Sequence, residues 1–223
     1  LIPAEFPTKS LVEPKQVIFK SLDGMTIHGQ IFDNSNGSQK KPAIIFIHGG
    51  PPRQMLLGWH YSDYYSNAYA LNQYLASEGF VVLSVNYRLG IGYGYDFHNP
   101  KSAGQWGASE YLDIKAAGEW LAQQSFVDAK KIALYGGSYG GYLTALGLAR
   151  DSKLFTAGVD IHGVHDWAHQ REIPLASLSG PHKAPDADWA TSLSFRSSPI
   201  SSIDTWKSPV LLIHADDDRN VPF

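Results

Sequence analysis

One nine-residue stretch limits what this chain can fold into more than any other: Leu134-Tyr135-Gly136-Gly137-Ser138-Tyr139-Gly140-Gly141-Tyr142. The run Lys131–Tyr135 that enters it is strand-like, and Thr144–Arg150, which leaves it, is helix-like. A strand that turns straight into a helix has no room for side chains beside the turning residue. Glycine fills those flanks, and the strained turn pushes the serine hydroxyl outward above the helix N-terminus. The spacing Gly-x-Ser-x-Gly in this context predicts Ser138 as an exposed nucleophile at a strand end. A glycine-rich surface turn with Ser138 as a simple N-cap is the competing reading; the strand before and the helix after are what favour the nucleophile.

Composition fits one folded domain around that turn. The chain has 223 residues, long for one domain but ordinary for an α/β fold. With 43% hydrophobic residues it can bury a large core, and 17% charged residues are too few for a disordered chain. A net charge of -3 gives no footprint for nucleic acid or an anionic membrane. No apolar stretch approaches the ~18 residues of a membrane span. The absence of cysteine excludes disulfides and thiolate metal sites and leaves the compartment open between cytoplasm and periplasm or exterior. The chain starts at Leu1 rather than Met, and residues 1–15, with three prolines, read as a linker.

Strand and helix signals alternate along the rest. Gln16–Lys20 and Met25–Phe32 predict an opening hairpin through Asp23-Gly24. Asp33–Lys41 is a polar loop whose Asn36-Gly37-Ser38 fits a glycosylation sequon, but a plain turn is the favoured reading. Ala43–His48 is a continuous apolar strand, as expected when helices cover both faces. A helix over Asn67–Ser77, a strand over Phe80–Asn86 and a helix over Ser109–Gln124 follow, the last with Leu112, Ala116, Trp120 and Leu121 on one stripe. Strands at Lys131–Tyr135, Thr156–Ile161 and Val210–His214 complete the series. Ala168–Ser198 is weakly patterned and reads as short helices or loops over the site. Such alternation implies an α/β fold, a mostly parallel sheet with helices on both faces. Gly90-x-Gly92-x-Gly94 also follows a strand, but its spacing is wrong for a dinucleotide loop and reads as a turn.

Four further features join Gly136–Tyr142: His48-Gly49-Gly50-Pro51, Asn86-Tyr87-Arg88, Gly92-Tyr93-Gly94, and Leu211-Leu212-Ile213-His214 leading to Asp218. Together, in this order and spacing, they resemble the catalytic domain of the prolyl oligopeptidase family of serine peptidases, above all its dipeptidyl-peptidase and acylaminoacyl-peptidase branches. The resemblance runs from about Gln16 to Phe223. It implies an α/β-hydrolase fold over residues 16–223 lacking its last elements, with residues 1–15 linking it to a β-propeller domain in cis. It also implies hydrolysis of short peptides near the N-terminus, without a cofactor or metal; homo-oligomers stay open. Leu89 departs from the pattern, since the family has glycine after Asn-Tyr-Arg.

A serine hydroxyl needs a base to take its proton and a third group to orient that base. The resemblance places the acid at Asp218. Three acids in a row, Asp216-Asp217-Asp218, match no calcium loop, and Asp216 and Asp217 read as solvated or loop-stabilising. The chain order serine, acid, histidine leaves no base after Asp218. The resemblance therefore places the base beyond Phe223, so that these 223 residues alone are inactive and leave an apolar sheet edge uncovered. His162, His165 and His169 lie past a strand end near the site, but using one would break the chain order. His48 and His214 end apolar strands and read as structural. The oxyanion of acyl transfer needs donors each worth roughly 2.7–4 kcal/mol. The Tyr139 N–H is one, and by the resemblance the Gly50 N–H is the other, with the His48 side chain as its alternative. Val164, Trp167, Asn220 and Val221 match family positions lining an apolar specificity pocket; core packing is the alternative for Val164 and Val221. A carboxylesterase, or an inactive assembly module, remains beside the peptidase reading.

Overall fold

The structure, a computed structural model, describes residues 5–34, 39–169 and 186–223. The sequon Asn36-Gly37-Ser38 and residues 170–185 of the weakly patterned stretch lie outside the described residues. Strands β1 (Lys15–Lys20) and β2 (Thr26–Phe32) form the hairpin, antiparallel with Lys20 opposite Thr26. They join β3 (Lys41–Ile47), β4 (Val81–Asn86), β5 (Val127–Gly137), β6 (Ala157–Ile161) and β7 (Val210–Ile213) in one sheet. Its order is β1-β2-β4-β3-β5-β6-β7, and every pairing from β4 to β7 is parallel.

Alternation along β3 shows why helices cover both faces. Ala43, Ile45 and Ile47 are buried in the main core with Ile114 and Leu121 of α3 (Tyr111–Ala122) and Leu143 and Leu146 of α4 (Tyr139–Arg150). Ile44 and Phe46 point the other way, into a smaller cluster with Tyr65 and Ala68 of α1 (Asp63–Ser77). Each fully buried aliphatic side chain contributes about 1.5–3 kcal/mol, so a central strand read as continuously apolar is held from both sides. Two shorter α-helices are α2 (Tyr95–His98) and α5 (Ala187–Arg196).

Three elements differ from the sequence reading. Helix α1 begins at Asp63, not Asn67, because Tyr65 turns inward to the Phe46 cluster and Asp63 suits the positive helix end. The buried stripe of α3 runs through Tyr111, Ile114, Ala117 and Leu121, while Leu112 and Trp120 are only half-buried. Trp120 instead stacks on Phe19 of β1, with ring centroids 5.7 Å apart. Strand β5 starts four residues before Lys131, since Val127 pairs with Lys41 across a register shift that carries the polar Asp128-Ala129-Lys130.

The segment before β1 is docked rather than loose at its end. Gln73 of α1 clasps Val12 from both sides, accepting from its N–H at 2.7 Å and donating to its carbonyl at 2.7 Å. At the other margin β7 closes the sheet with apolar side chains in solvent, Leu211 and Leu212 each 57% exposed.

Candidate active site

The C-terminal ends of the parallel strands gather the residues singled out in the sequence. Gly49 and Gly50 follow β3, Ser138 follows β5, His162 follows β6, and His214 and Asp218 follow β7. Ser138 sits between β5 and α4 at φ 57°, ψ -119°. A non-glycine residue held there costs on the order of 1–3 kcal/mol and persists only where its surroundings fix it. Here the Ser138 N–H donates to the Ile161 carbonyl at 2.9 Å and to His162 Nδ1 at 3.1 Å, and the Tyr142 N–H donates to the Ser138 carbonyl at 2.9 Å. A Cβ on Gly136 would lie 2.5 Å from the Ile47 carbonyl oxygen, and one on Gly140 would collide with the same atom. The end of β3 thus runs against the elbow, which only glycine permits.

This crossing brings the loop after β3 to Ser138. A Cβ on Gly49 would stand 3.2 Å from Ser138 Cβ. Gly50 has φ +59° and is packed against the Arg53 guanidinium. The Gly50 and Tyr139 N–H groups make no backbone hydrogen bond among the described residues. The Asn86-Tyr87-Arg88 motif anchors this loop. Asn86 accepts from the Met55 N–H at 2.7 Å and donates to its carbonyl at 3.0 Å, while the Tyr87 hydroxyl donates to the His48 carbonyl at 2.8 Å. Arg88, itself buried, meets the buried Asp113 carboxylate at 2.6 Å and Asp23 at 2.6 Å, tying the hairpin to α3. Arg88 and the N–H of Met25 draw the Asp23 pKa down to about 2 against its partial burial.

The His48 ring is fully buried, stacked on Tyr87 at 4.4 Å, with Nε2 unpartnered. Burial lowers its pKa to about 4, and the Arg53 and His60 charges push the same way, so it is neutral at pH 7. The ring is shut off from solvent, whereas the Gly50 backbone is not.

Asp218 accepts from the N–H groups of Asn220 at 2.8 Å and Val221 at 3.0 Å. The Val221 and Asn220 bonds lower its pKa, helped by His162 and His214 nearby, so it is ionised at neutral pH. His214 Nε2 stands 3.9 Å from the carboxylate and 2.8 Å from the Val221 carbonyl oxygen. Asp216 and Asp217 are exposed, and no metal-holding group of side chains occurs among the described residues. His165 Nε2 is paired with the buried Asp160 at 2.6 Å, and His169 is exposed.

Val164 and Val221 are buried in the main core, Trp167 is half-buried and packs on it, and Asn220 is exposed. Trp167 meets the rings of Tyr142 at 5.3 Å and Tyr139 at 6.0 Å, giving an apolar wall beside the elbow.

Sequence reasoning missed Glu110. It is fully buried one residue before α3, where it accepts from the Tyr139 hydroxyl at 2.7 Å and from the Gly104 N–H at 3.0 Å. Burial raises its pKa; the Tyr139 hydroxyl opposes the rise. The Tyr139 side chain is thereby fixed beside its own N–H.

Residues 66–223 match the model of the prolyl oligopeptidase family. Dipeptidyl aminopeptidase BIII of Pseudoxanthomonas mexicana is 32% identical over 191 residues, 81% of this chain and 26% of that protein. The acylamino-acid-releasing enzyme of Rattus norvegicus is 28% identical over 200 residues, 82% of this chain and 25% of that protein. Among solved structures, an acylaminoacyl peptidase in complex with Z-Gly-Gly-Phe-chloromethyl ketone aligns with a TM-score of 0.76 at 28% identity, over 96% of this chain and 33% of that one. A puromycin-hydrolysing peptidase of Mycobacterium tuberculosis aligns with a TM-score of 0.78 at 26% identity, over 98% of this chain and 33% of that one. The chain thus spans about a quarter of the length of these two curated relatives. With that match over more than half its length, the chain belongs to the prolyl oligopeptidase family.

Proposed function

We propose that this chain is the catalytic domain of a serine peptidase that cleaves short peptides near the N-terminus through an acyl-enzyme on Ser138. The observation that carries this is the backbone of Ser138, held at φ 57° on a strand-to-helix turn against the end of β3. In the reaction Ser138 Oγ attacks the scissile carbonyl carbon and its proton passes to the base. The oxyanion meets the Gly50 and Tyr139 N–H groups. The C–N bond then breaks as the base protonates the departing amine, and water repeats the sequence to free the acid. Asp218, ionised and fixed by two N–H bonds, orients the base. The base in this proposal is a histidine outside these 223 residues, and a β-propeller joined through residues 1–15 limits substrates to short peptides. Trp167 and Val164, with Asn220 and Val221, take an apolar side chain before the scissile bond.

The test uses the full-length protein with a fluorophosphonate probe and aminoacyl, dipeptidyl and N-acetyl peptide substrates. Ser138→Ala should abolish labelling and nearly all turnover, by comparison with triad losses near ~10⁶ in rate. Asp218→Asn should retain labelling but lower kcat by about 10⁴. Labelling that survives Ser138→Ala refutes the nucleophile. Turnover of simple esters with none of peptides would mark a carboxylesterase instead.

A further inference from the structure

The loop that delivers Gly50 to the nucleophile also delivers an unused cation. The Arg53 guanidinium lies against Gly50: a Cβ there would be 2.8 Å from Nε, 3.3 Å from Nη2 and 3.4 Å from Cζ. A Cβ on Gly49, the residue before it, would stand 3.2 Å from Ser138 Cβ. The same guanidinium lies over the Tyr65 ring at 5.0 Å, which holds its plane. Its backbone is fixed as well, with the Arg53 N–H donating to the Pro51 carbonyl at 2.7 Å and the Ile91 N–H to the Arg53 carbonyl at 3.1 Å.

What the guanidinium lacks is an anion. Arg88 is paired with Asp113 and Asp23, but no carboxylate forms an ion pair with Arg53 among the described residues. Its Nε is closed off from solvent without a hydrogen-bond acceptor. A buried donor without a partner costs stability, and a planar fork held by stacking is suited to two parallel bonds with a carboxylate. Loop support alone would need the stacking, but not an Nε buried without an acceptor.

The strand order gives the direction. Val164 and Trp167 follow β6, Arg53 follows β3, and Ser138 follows β5 between them. A peptide whose acyl side chain rests on the Trp167 wall crosses Ser138 with its other end toward Arg53. We propose that Arg53 is a specificity-determining residue that binds the free C-terminal carboxylate of a short leaving group, so that the enzyme favours peptides ending just past the scissile bond. The inference rests on the peptidase proposed above.

The experiment compares Gly-Phe-Gly and N-acetyl-Gly-Phe-Gly, each with a free C-terminal carboxylate and as the C-terminal amide, on the full-length protein. The expected kcat/KM ratio of carboxylate to amide is about tenfold or more, the size of one charge-assisted hydrogen bond. Arg53→Gln should bring that ratio to near one, and Arg53→Lys, which keeps charge without the fork, should leave an intermediate ratio. Two results overturn the inference and spare the peptidase: no preference in the wild-type protein, or an equal loss on both peptides that leaves the ratio intact in Arg53→Gln. The second would mark Arg53 as a prop for the Gly50 loop. Cleavage of none of the four peptides by the wild-type protein would overturn the peptidase and the inference together.

Discussion

Tyr139→Phe removes one oxygen atom from the residue after Ser138, and the structure sets both the size and the pH dependence of the loss. That hydroxyl donates to Glu110, a fully buried carboxylate whose other neutral donor is the Gly104 N–H. While Glu110 is protonated, the change costs a neutral hydrogen bond, about 0.5–1.5 kcal/mol; once Glu110 is ionised it costs about 1.5–3 kcal/mol. The sign follows from Glu110 having a pKa raised by burial. The folded state then binds more protons than the unfolded one, so stability falls as pH rises from glutamate's ordinary value, about 4.3, through the raised folded value. The tyrosine hydroxyl opposes the rise, so Phe at this position lifts the folded pKa further and extends the loss to higher pH. Thermal unfolding of the full-length protein, followed by tryptophan fluorescence at pH 5 and pH 8, should show the larger penalty at pH 8. An excess of about 1 kcal/mol corresponds to about 2–4 °C in Tm for a domain of this size. The cycle with Glu110→Gln should give a coupling of about 1 kcal/mol. Equal Tm losses at both pH values, or additive single changes, would refute the idea that this hydrogen bond reads the charge of Glu110.

Leu89 stands at φ 79°, where a side chain costs about 1–2 kcal/mol, with its N–H donated to the Phe97 carbonyl at 2.8 Å. Leu89→Gly should therefore raise Tm by a few degrees despite the loss of a half-buried side chain, and a lower Tm by calorimetry would show that packing dominates. Gly140→Ala should destabilise by about 3 kcal/mol or more, because its methyl would meet the Ile47 carbonyl, which is backbone and cannot swing aside. Urea unfolding checks the stability, and fluorophosphonate labelling of Ser138 should slow in parallel as the elbow shifts.

What was legible in the sequence was whatever local spacing dictates. Ser138 could be read because a strand, two glycine flanks and a helix impose one backbone solution within ten residues. The central strands could be read because covered parallel strands are apolar without interruption, as in Ala43–Ile47. The start of α1 was hidden because Tyr64 and Tyr65 carry no helical signature of their own; Tyr65 is drawn inward by Phe46, from a different element. The Asn86-Tyr87-Arg88 motif was visible as a pattern, but its work was not, since its partners Met55, His48 and Asp113 lie 25 to 39 residues away.

Glu110 and Arg53 show where such reading stops and why. An acid at the start of an amphipathic helix and an arginine in a proline-rich loop both have a bland solvent-exposed explanation, and nothing beside them in sequence contradicts it. Folding removes that explanation unequally. Glu110 is buried and satisfied by Tyr139, 29 residues away, so its role is internal: it holds the residue whose N–H is the proposed oxyanion donor. Arg53 lies against Tyr65 and Gly50 and forms no ion pair among the described residues. Both touch a residue that carries a proposed oxyanion donor, Glu110 through the Tyr139 hydroxyl and Arg53 against Gly50. A charge that the fold has already paired shapes its surroundings from behind, whereas a guanidinium stacked on Tyr65 beside Gly50, with no ion pair among the described residues, is the one for which we propose a partner in the substrate.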